Sequence, residues 1–353
     1  MEYDPTGKKM TESGNKGAGM TPEEKKRYFD RVQRYDRERV ENLLDSKVCI
    51  VGAGAIGSAL AVWLARAGVS QIVLVDGDIV EPHNLERYEG LTLRDVGKFK
   101  VHALREYILG IRPWAEVEAF PEHLGRLYRE CIEKPSESGC TSFLDALEGV
   151  KLVITAVDNA WARFYATRLS MDLGVPYLEA AFSEKGEVGV FFFPDTRKGP
   201  CRLCTLQEAD FTTDSLGYNM GATCPKTGAC LKIYLKEPMF VTRCSGEEPE
   251  EKVELVQSEA GLFVKFRCPV CGDEHRYRHP STPAPAVIEV ARRAALEAFE
   301  AAVSFLAHGQ VPKWHVLLVK TSLNPRESYR EGVAIRVSES HPHECLWAVC
   351  GEK

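Results

Sequence analysis

Lys47-Val-Cys-Ile-Val51-Gly52-Ala53-Gly54-Ala55-Ile56-Gly57 decides the fold class of this chain. The first five residues form a short β-prone strand, and the glycines that follow fit G-x-G-x-x-G at the opening of a helix. A strand that turns on glycines into a helix brings backbone amides and the positive helix end to one point, where a phosphate can sit. Gly68 is placed to end that helix. Gln71 to Val75 reads as the next strand, closed by Asp76, where an acid commonly takes a ribose hydroxyl.

Further strands are expected at Val117 to Phe120, Leu152 to Thr155 and Val188 to Phe193, with helices over Lys98 to Leu109 and from Asn159. The alternation predicts an α/β, Rossmann-like, doubly wound and mostly parallel sheet. Upstream, residues 1–20 read as a flexible tail, and Thr21-Pro22-Glu23-Glu24 as the cap and first turn of a charged helix running to Leu44. After Cys201 the pattern changes. Residues 205–280 are rich in Cys, Gly and Glu, with few long elements expected. Pro285 to Ala307 reads as one long helix with a shallow alanine stripe. Val316 to Val319 and Val333 to Val337 read as an antiparallel pair of strands continuing the sheet. The expected division is therefore 21–204 with 281–353 as one domain and 205–280 as a cysteine-rich, zinc-binding insertion.

Composition narrows the function classes. The chain has 353 residues, 45 Lys+Arg against 51 Asp+Glu, and 44% hydrophobic residues. That balance excludes wholesale disorder, and a net charge of −6 gives no general attraction to nucleic acid or anionic membranes. Cys49 to Ala65 runs without charge but holds Gly52, Gly54 and Gly57 and is too short for a span. With no apolar leader, the expectation is a cytoplasmic protein. Twelve cysteines then argue for metal or thiol chemistry rather than a disulfide framework, with Cys49, Cys131 and Cys140 as buried inert thiols.

The glycine motif alone says only that a nucleotide binds. Asp76-Gly-Asp78 is followed by Asn84-Leu-Glu-Arg87, then Gly97-Lys-Phe-Lys100, and later by Val157-Asp158-Asn159. An NAD enzyme has no use for Arg87 and Lys100 at these places. Cations there neutralise a triphosphate and stabilise charge at a reacting phosphorus. Asp158, at a strand end, is placed for magnesium.

With Arg34-Tyr-Asp-Arg37 ahead of the first strand, this ordered set resembles the ubiquitin-activating-type adenylyltransferases. These include the molybdopterin-synthase and thiamine-biosynthesis adenylyltransferases. The resemblance covers roughly residues 30–205 and 280–353. It implies Mg-ATP-dependent adenylation of the C-terminal glycine carboxylate of a ubiquitin-like or sulfur-carrier protein, with release of pyrophosphate. It further implies that Gly52, Gly54, Ala55 and Gly57 cradle the nucleotide and Asp76 holds the ribose. Asp78 and Asn159 lie in the same motifs. Asn84, Arg87 and Lys100 take the phosphates, Asp158 holds magnesium, and Arg37 reaches a partner's ATP across a homodimer interface. A conjugating or sulfur-transfer protein would act downstream. Ala55 stands where many members have Gly, a mild change if its φ is negative. An NAD-dependent oxidoreductase and a non-catalytic carrier-binding subunit are the competing readings.

Cys201-Arg-Leu-Cys204 has the spacing of a zinc knuckle and needs a second pair. Cys268-Pro-Val-Cys271 and Cys345 with Cys350 are both available. The resemblance, closest here to the ubiquitin-fold-modifier-activating branch, implies Cys201, Cys204, Cys345 and Cys350 as a structural zinc site. Cys268 and Cys271 would then hold a second, ribbon-like zinc with two of Cys224, Cys230 and Cys244, or with His275 or His279. Cys224 is also the candidate nucleophile for a thioester step, with Cys230 next.

Overall fold

The computed structural model describes residues 21–133, 140–183, 187–198, 200–202, 219–234, 239–243, 250–258, 261–278, 288–320 and 329–334. The chain enters through α1 (Pro22–Tyr28), α2 (Asp30–Tyr35) and α3 (Arg37–Leu44). Thr21 and Glu24 cap α1 reciprocally, as their spacing predicts. The expected single helix is broken instead. Asp36 leaves helical geometry and its carboxylate accepts from the Arg39 amide at 2.9 Å, so it starts α3 rather than continuing α2.

The main sheet is built from β1 (Lys47–Val51), β2 (Gln71–Val75), β3 (Glu116–Phe120), β4 (Leu152–Thr155), β5 (Tyr177–Phe182), β6 (Glu187–Phe193), β13 (Val316–Lys320) and β14 (Tyr329–Val333). Its order is β14-β13-β6-β5-β4-β1-β2-β3. Pairs from β3 through β1 to β5 are parallel, and pairs from β5 through β6 and β13 to β14 are antiparallel. This is the predicted class, a Rossmann-like sheet continuing into an antiparallel part. β14 begins four residues before the expected Val333.

Alternate residues of β1 feed two cores. Val48 and Ile50 pack with α4 (Ala55–Ala67), α5 (Lys100–Ile111) and α9 (Ile288–His308). Cys49 and Val51 face the other layer, with α6 (Leu124–Tyr128), α7 (Thr141–Leu147) and α8 (Ala160–Leu173). The α9 stripe of Ala291, Ala294, Ala295, Ala298 and Ala302 is fully buried and lets that helix lie close on α4 and across β5 and β6.

Two expectations change here. Cys131 and Cys140 are not free thiols; they form a disulfide, their Cα atoms 5.0 Å apart. Cys49 is the inert thiol expected, its burial pushing the pKa up to about 12. The stretch expected to hold few long elements instead contains six strands: β7 (Asn219–Thr223), β8 (Cys230–Tyr234), β9 (Phe240–Arg243), β10 (Glu251–Ser258), β11 (Gly261–Arg267) and β12 (Glu274–Arg278). They form an antiparallel meander in sequence order. Among the described residues, no helix is long and apolar enough to cross a membrane.

Candidate active site

β2 and β4 flank β1 on opposite sides, so the strand order reverses there and a crevice opens at the carboxyl ends. Gly52 follows β1 with φ +95°, and a Cβ on it would meet the Ala156 carbonyl oxygen at 2.5 Å. Only glycine fits that close approach of the β1 and β4 ends. A Cβ on Gly57 would come within 1.8 Å of the Gly52 carbonyl oxygen, so this glycine lets α4 pack directly on the turn. Gly54 differs from both: the nearest atom to an added Cβ is the Tyr88 hydroxyl at 3.8 Å, leaving open space beside the helix start. No non-glycine residue among those described has positive φ, so Ala55 begins α4 without strain.

The end of β2 is tied to this turn. One Asp76 carboxylate oxygen accepts from the Ala53 amide at 2.7 Å and the other from the Asp78 amide at 2.8 Å. Burial pushes the Asp76 carboxyl above its ordinary range, with Lys100 and the two amides pulling the other way. Lys100, at the start of α5, is only 7% exposed and donates to Asp78 at 2.7 Å. Burial works against its charge, but Asp76, Tyr88 and Asp78 outweigh that and raise its pKa, so the ammonium is held charged. Its Nζ lies 5.5 Å from the Tyr88 ring centroid and the Arg87 guanidinium 5.7 Å from it. Tyr88 was missed from sequence; its only signal is an aromatic directly after Arg87.

Arg87 is mostly buried and donates to the His83 carbonyl at 2.7 Å and to Glu86 at 2.8 Å. Asn84 is buried at the end of a 3-10 turn, its side-chain oxygen accepting from Glu81 N at 3.0 Å. Both thus hold the loop between β2 and α5 in shape. Asp158 is exposed beyond β4, two residues after Ala156, which packs on Gly52. Asn159 serves as the α8 cap, accepting from Ala162 N at 2.8 Å. Arg37 stands apart: its side chain is 78% exposed and paired with Glu41.

A buried ion network adjoins Asp158 and was not read from sequence. Glu179 on β5 is fully buried, paired with Arg163 at 3.0 Å and Arg202 at 2.8 Å, and accepts from Tyr177 Oη at 2.6 Å. Desolvation opposes its charge, but Arg163 and Arg202 outweigh it and hold the carboxyl below its usual range. Arg163 also donates to the Val157 carbonyl at 2.9 Å. The network therefore joins the residue before Asp158 to the residue after Cys201.

Among the expected zinc ligands, Cys201 is buried, while Cys204, Cys345 and Cys350 lie outside the described residues. Cys268 and Cys271 are brought together with Cys224 and His275, each offering a ligand atom within 4.8 Å of the others. Cys224, the candidate nucleophile and one of the alternative zinc ligands, is thus buried in this cluster, and hydrogen bonding from Thr227, then His275, draws its thiol down to about 6. Cys244 and His279 lie outside the described residues. A depression of about 500 Å³ lined by Glu38, Asn42, Lys151 and His308 lies at the other end of β4, away from the glycine turn.

A phosphate-ready glycine turn at the sheet's switch point, with an acid and a buried lysine beside it, defines a nucleotide-binding α/β protein. The ThiF family model matches residues 27–317, and the chain belongs to the ThiF family. It is 31% identical over 276 residues to a sulfur carrier protein adenylyltransferase of Thermus thermophilus, covering 70% of this chain and 94% of that one. With a SAMP-activating enzyme E1 of Haloferax volcanii it shares 27% identity, covering 65% and 82%. It is 32% identical to an adenylyltransferase and sulfurtransferase uba4 of Emericella nidulans, covering 59% of this chain but only 42% of that protein, so the chain spans under half of that relative's length. In fold it is similar to Escherichia coli MccB crystallised with MccA, at a TM-score of 0.55 and 15% identity, covering 95% of this chain and 76% of that one.

Proposed function

We propose that this protein uses ATP to adenylate the C-terminal carboxylate of a ubiquitin-like or sulfur-carrier protein, releasing pyrophosphate. The observation that carries the reading is Lys100, a buried and charged ammonium beside the glycine turn, where a dinucleotide enzyme needs no such cation. The residues fit a triphosphate: the open space at Gly54, the first amides of α4 and the Lys100 charge converge on one crevice. A relative named as a sulfur carrier protein adenylyltransferase and one named as a SAMP-activating enzyme E1, both matched over most of their length, support the same reading.

Asp76, with its carboxylate oxygens turned toward the Ala53 amide of the glycine turn and the Asp78 amide beyond β2, takes the ribose. Lys100, Arg87 and Asn84 take the phosphates, Arg87 first releasing Glu86. The carrier carboxylate attacks the α-phosphorus, the bond to the bridging oxygen breaks, and pyrophosphate leaves with its charge held by Lys100 and Arg87. Asp158 is the carboxylate available for magnesium, which would neutralise polyphosphate charge when bound. Arg37, exposed on one protomer and paired there with Glu41, completes the site of a second copy in a homodimer on releasing that partner. The resemblance adds a structural zinc on Cys201, Cys204, Cys345 and Cys350. A conjugating or sulfur-transfer protein receives the activated carrier, in the cytoplasm and without nucleic acid or membrane.

ATP–pyrophosphate exchange with candidate carrier proteins tests the reading. Asp158→Ala is expected to lower exchange about a thousandfold with an unchanged melting temperature. Near-normal exchange in that variant would remove Asp158 from the site. Hydride transfer to a nicotinamide cofactor without any exchange would favour the oxidoreductase reading.

A further inference from the structure

The six-stranded meander is two small three-stranded sheets joined at one narrow seam. β9 and β10 pair at only two positions, Glu251↔Val241 and Lys252↔Phe240, whereas β10 and β11 pair at six. β7 and β12 are the outer strands. Laid flat, such edges would stand roughly 24 Å apart, five spacings of about 4.8 Å. Yet Cys224, just after β7, has its Sγ 3.5 Å from Nε2 of His275, in β12. The layers fold over on each other, and the two edges meet at the cysteine cluster.

Both turns that carry cysteines have the same form. Cys224-Pro-Lys-Thr-Gly228 and Cys268-Pro-Val-Cys-Gly272 share Cys-Pro-x-x-Gly. In each, the cysteine carbonyl accepts from the glycine amide, at 2.8 Å for Gly228 and 2.9 Å for Gly272, and each glycine has positive φ, +71° and +76°. Each cysteine amide in turn donates to the residue after the glycine, Ala229 at 2.9 Å and Asp273 at 2.7 Å. Thr227 stands where the second turn has Cys271, so the first turn lacks one thiol. His275 approaches instead, with Nε2 3.3 Å from Cys271 Sγ. Lys226 of one turn pairs with Asp273 of the other.

We propose that Cys224, Cys268, Cys271 and His275 form a tetrahedral zinc site that clamps the two layers of this insertion together, with His275 taking the place that Thr227 cannot fill. Three thiolates and an imidazole suit zinc. A tetrahedral ion with Zn–S of ~2.3 Å and Zn–N of ~2.0 Å sets sulfur and nitrogen roughly 3.5 Å apart, as seen for both thiols measured against His275. The core between the layers rests on few large side chains, among them Leu231, Ile233, Val241, Val264 and Phe266, a size at which small domains commonly need a metal. Cys224 is consumed as a ligand, so any thioester forms on another cysteine.

The test is zinc content of the full-length protein by plasma mass spectrometry, with cobalt(II) substitution read by absorption. Cys268→Ser with Cys271→Ser is expected to lose one zinc per chain relative to wild type, as are Cys224→Ser and His275→Ala. His275→Cys keeps the ion and shifts the cobalt bands toward a four-sulfur pattern, which separates lost coordination from lost folding. Thr227→Ser leaves zinc content unchanged. Unchanged zinc in Cys224→Ser and His275→Ala, or alkylation of native Cys224 as fast as a free thiol, would overturn the site. The readout is metal, so an adenylation reading that failed would leave the result interpretable.

Discussion

Glu179 shows how one side chain can be both necessary and illegible. Its carboxylate neutralises Arg163 and Arg202 inside the sheet, and removing that charge strands two guanidinium groups. Glu179→Gln is expected to cost about 3–5 kcal/mol, measured by urea unfolding at neutral pH. Because the folded carboxyl lies below its ordinary 4.5, its stabilisation is complete above that value and is lost as pH falls through the lowered one. The gap between wild type and Glu179→Gln should therefore narrow only in acid, and a gap that persists there would point to packing rather than charge. The same residue explains why β5 was not expected: a glutamate in Tyr-Leu-Glu-Ala-Ala-Phe reads as solvent-facing until its partners, distant in sequence, are known. Gly52, Asp76 and Lys100 were legible because their roles follow from local spacing.

Among the elements, α4 depends on Gly57 and α9 on its alanines. Gly57→Ala would force a Cβ onto the Gly52 carbonyl, so α4 and the turn must separate. Loss of exchange activity together with a lowered melting temperature is expected. Ala298→Leu on the buried stripe of α9 should cost about 1–3 kcal/mol by overpacking, with no change in ATP affinity. Thermal unfolding and nucleotide titration read the two effects separately. β1, β2 and β4 were legible because both their faces are covered and they read as short apolar runs. β10 was not, because Glu251-Lys-Val-Glu-Leu-Val-Gln breaks strict alternation, with Glu251 beside Lys252 and Leu255 beside Val256.

On the scale of the whole molecule, the proposed homodimer can be tested at Arg37. Arg37 opens α3 with its side chain turned to solvent and paired with Glu41 on its own helix. Mixed Arg37→Ala and Asp158→Ala subunits should regain exchange at one site per heterodimer while each variant alone stays inactive. Absence of complementation after verified subunit exchange would place Arg37 outside the shared site. The ligand set of the cysteine cluster could not be read in one dimension, since Cys224 and His275 lie 51 positions apart and meet only when the two layers fold over.

The pairing of β6 with β13 also has a temporal side. Phe191 is matched with Val316, so about 125 residues must be made between the two halves of that pairing. At a synthesis rate of roughly 5–20 residues per second, β6 spends on the order of ten seconds as a bare edge on the ribosome. During that interval the inserted meander emerges in full. Nascent chains arrested just after β13 is synthesised, while that strand is still inside the ribosomal tunnel, should therefore carry an assembled insertion beside an unfinished sheet, and a competing strand-forming peptide would attach at β6 then and not after release.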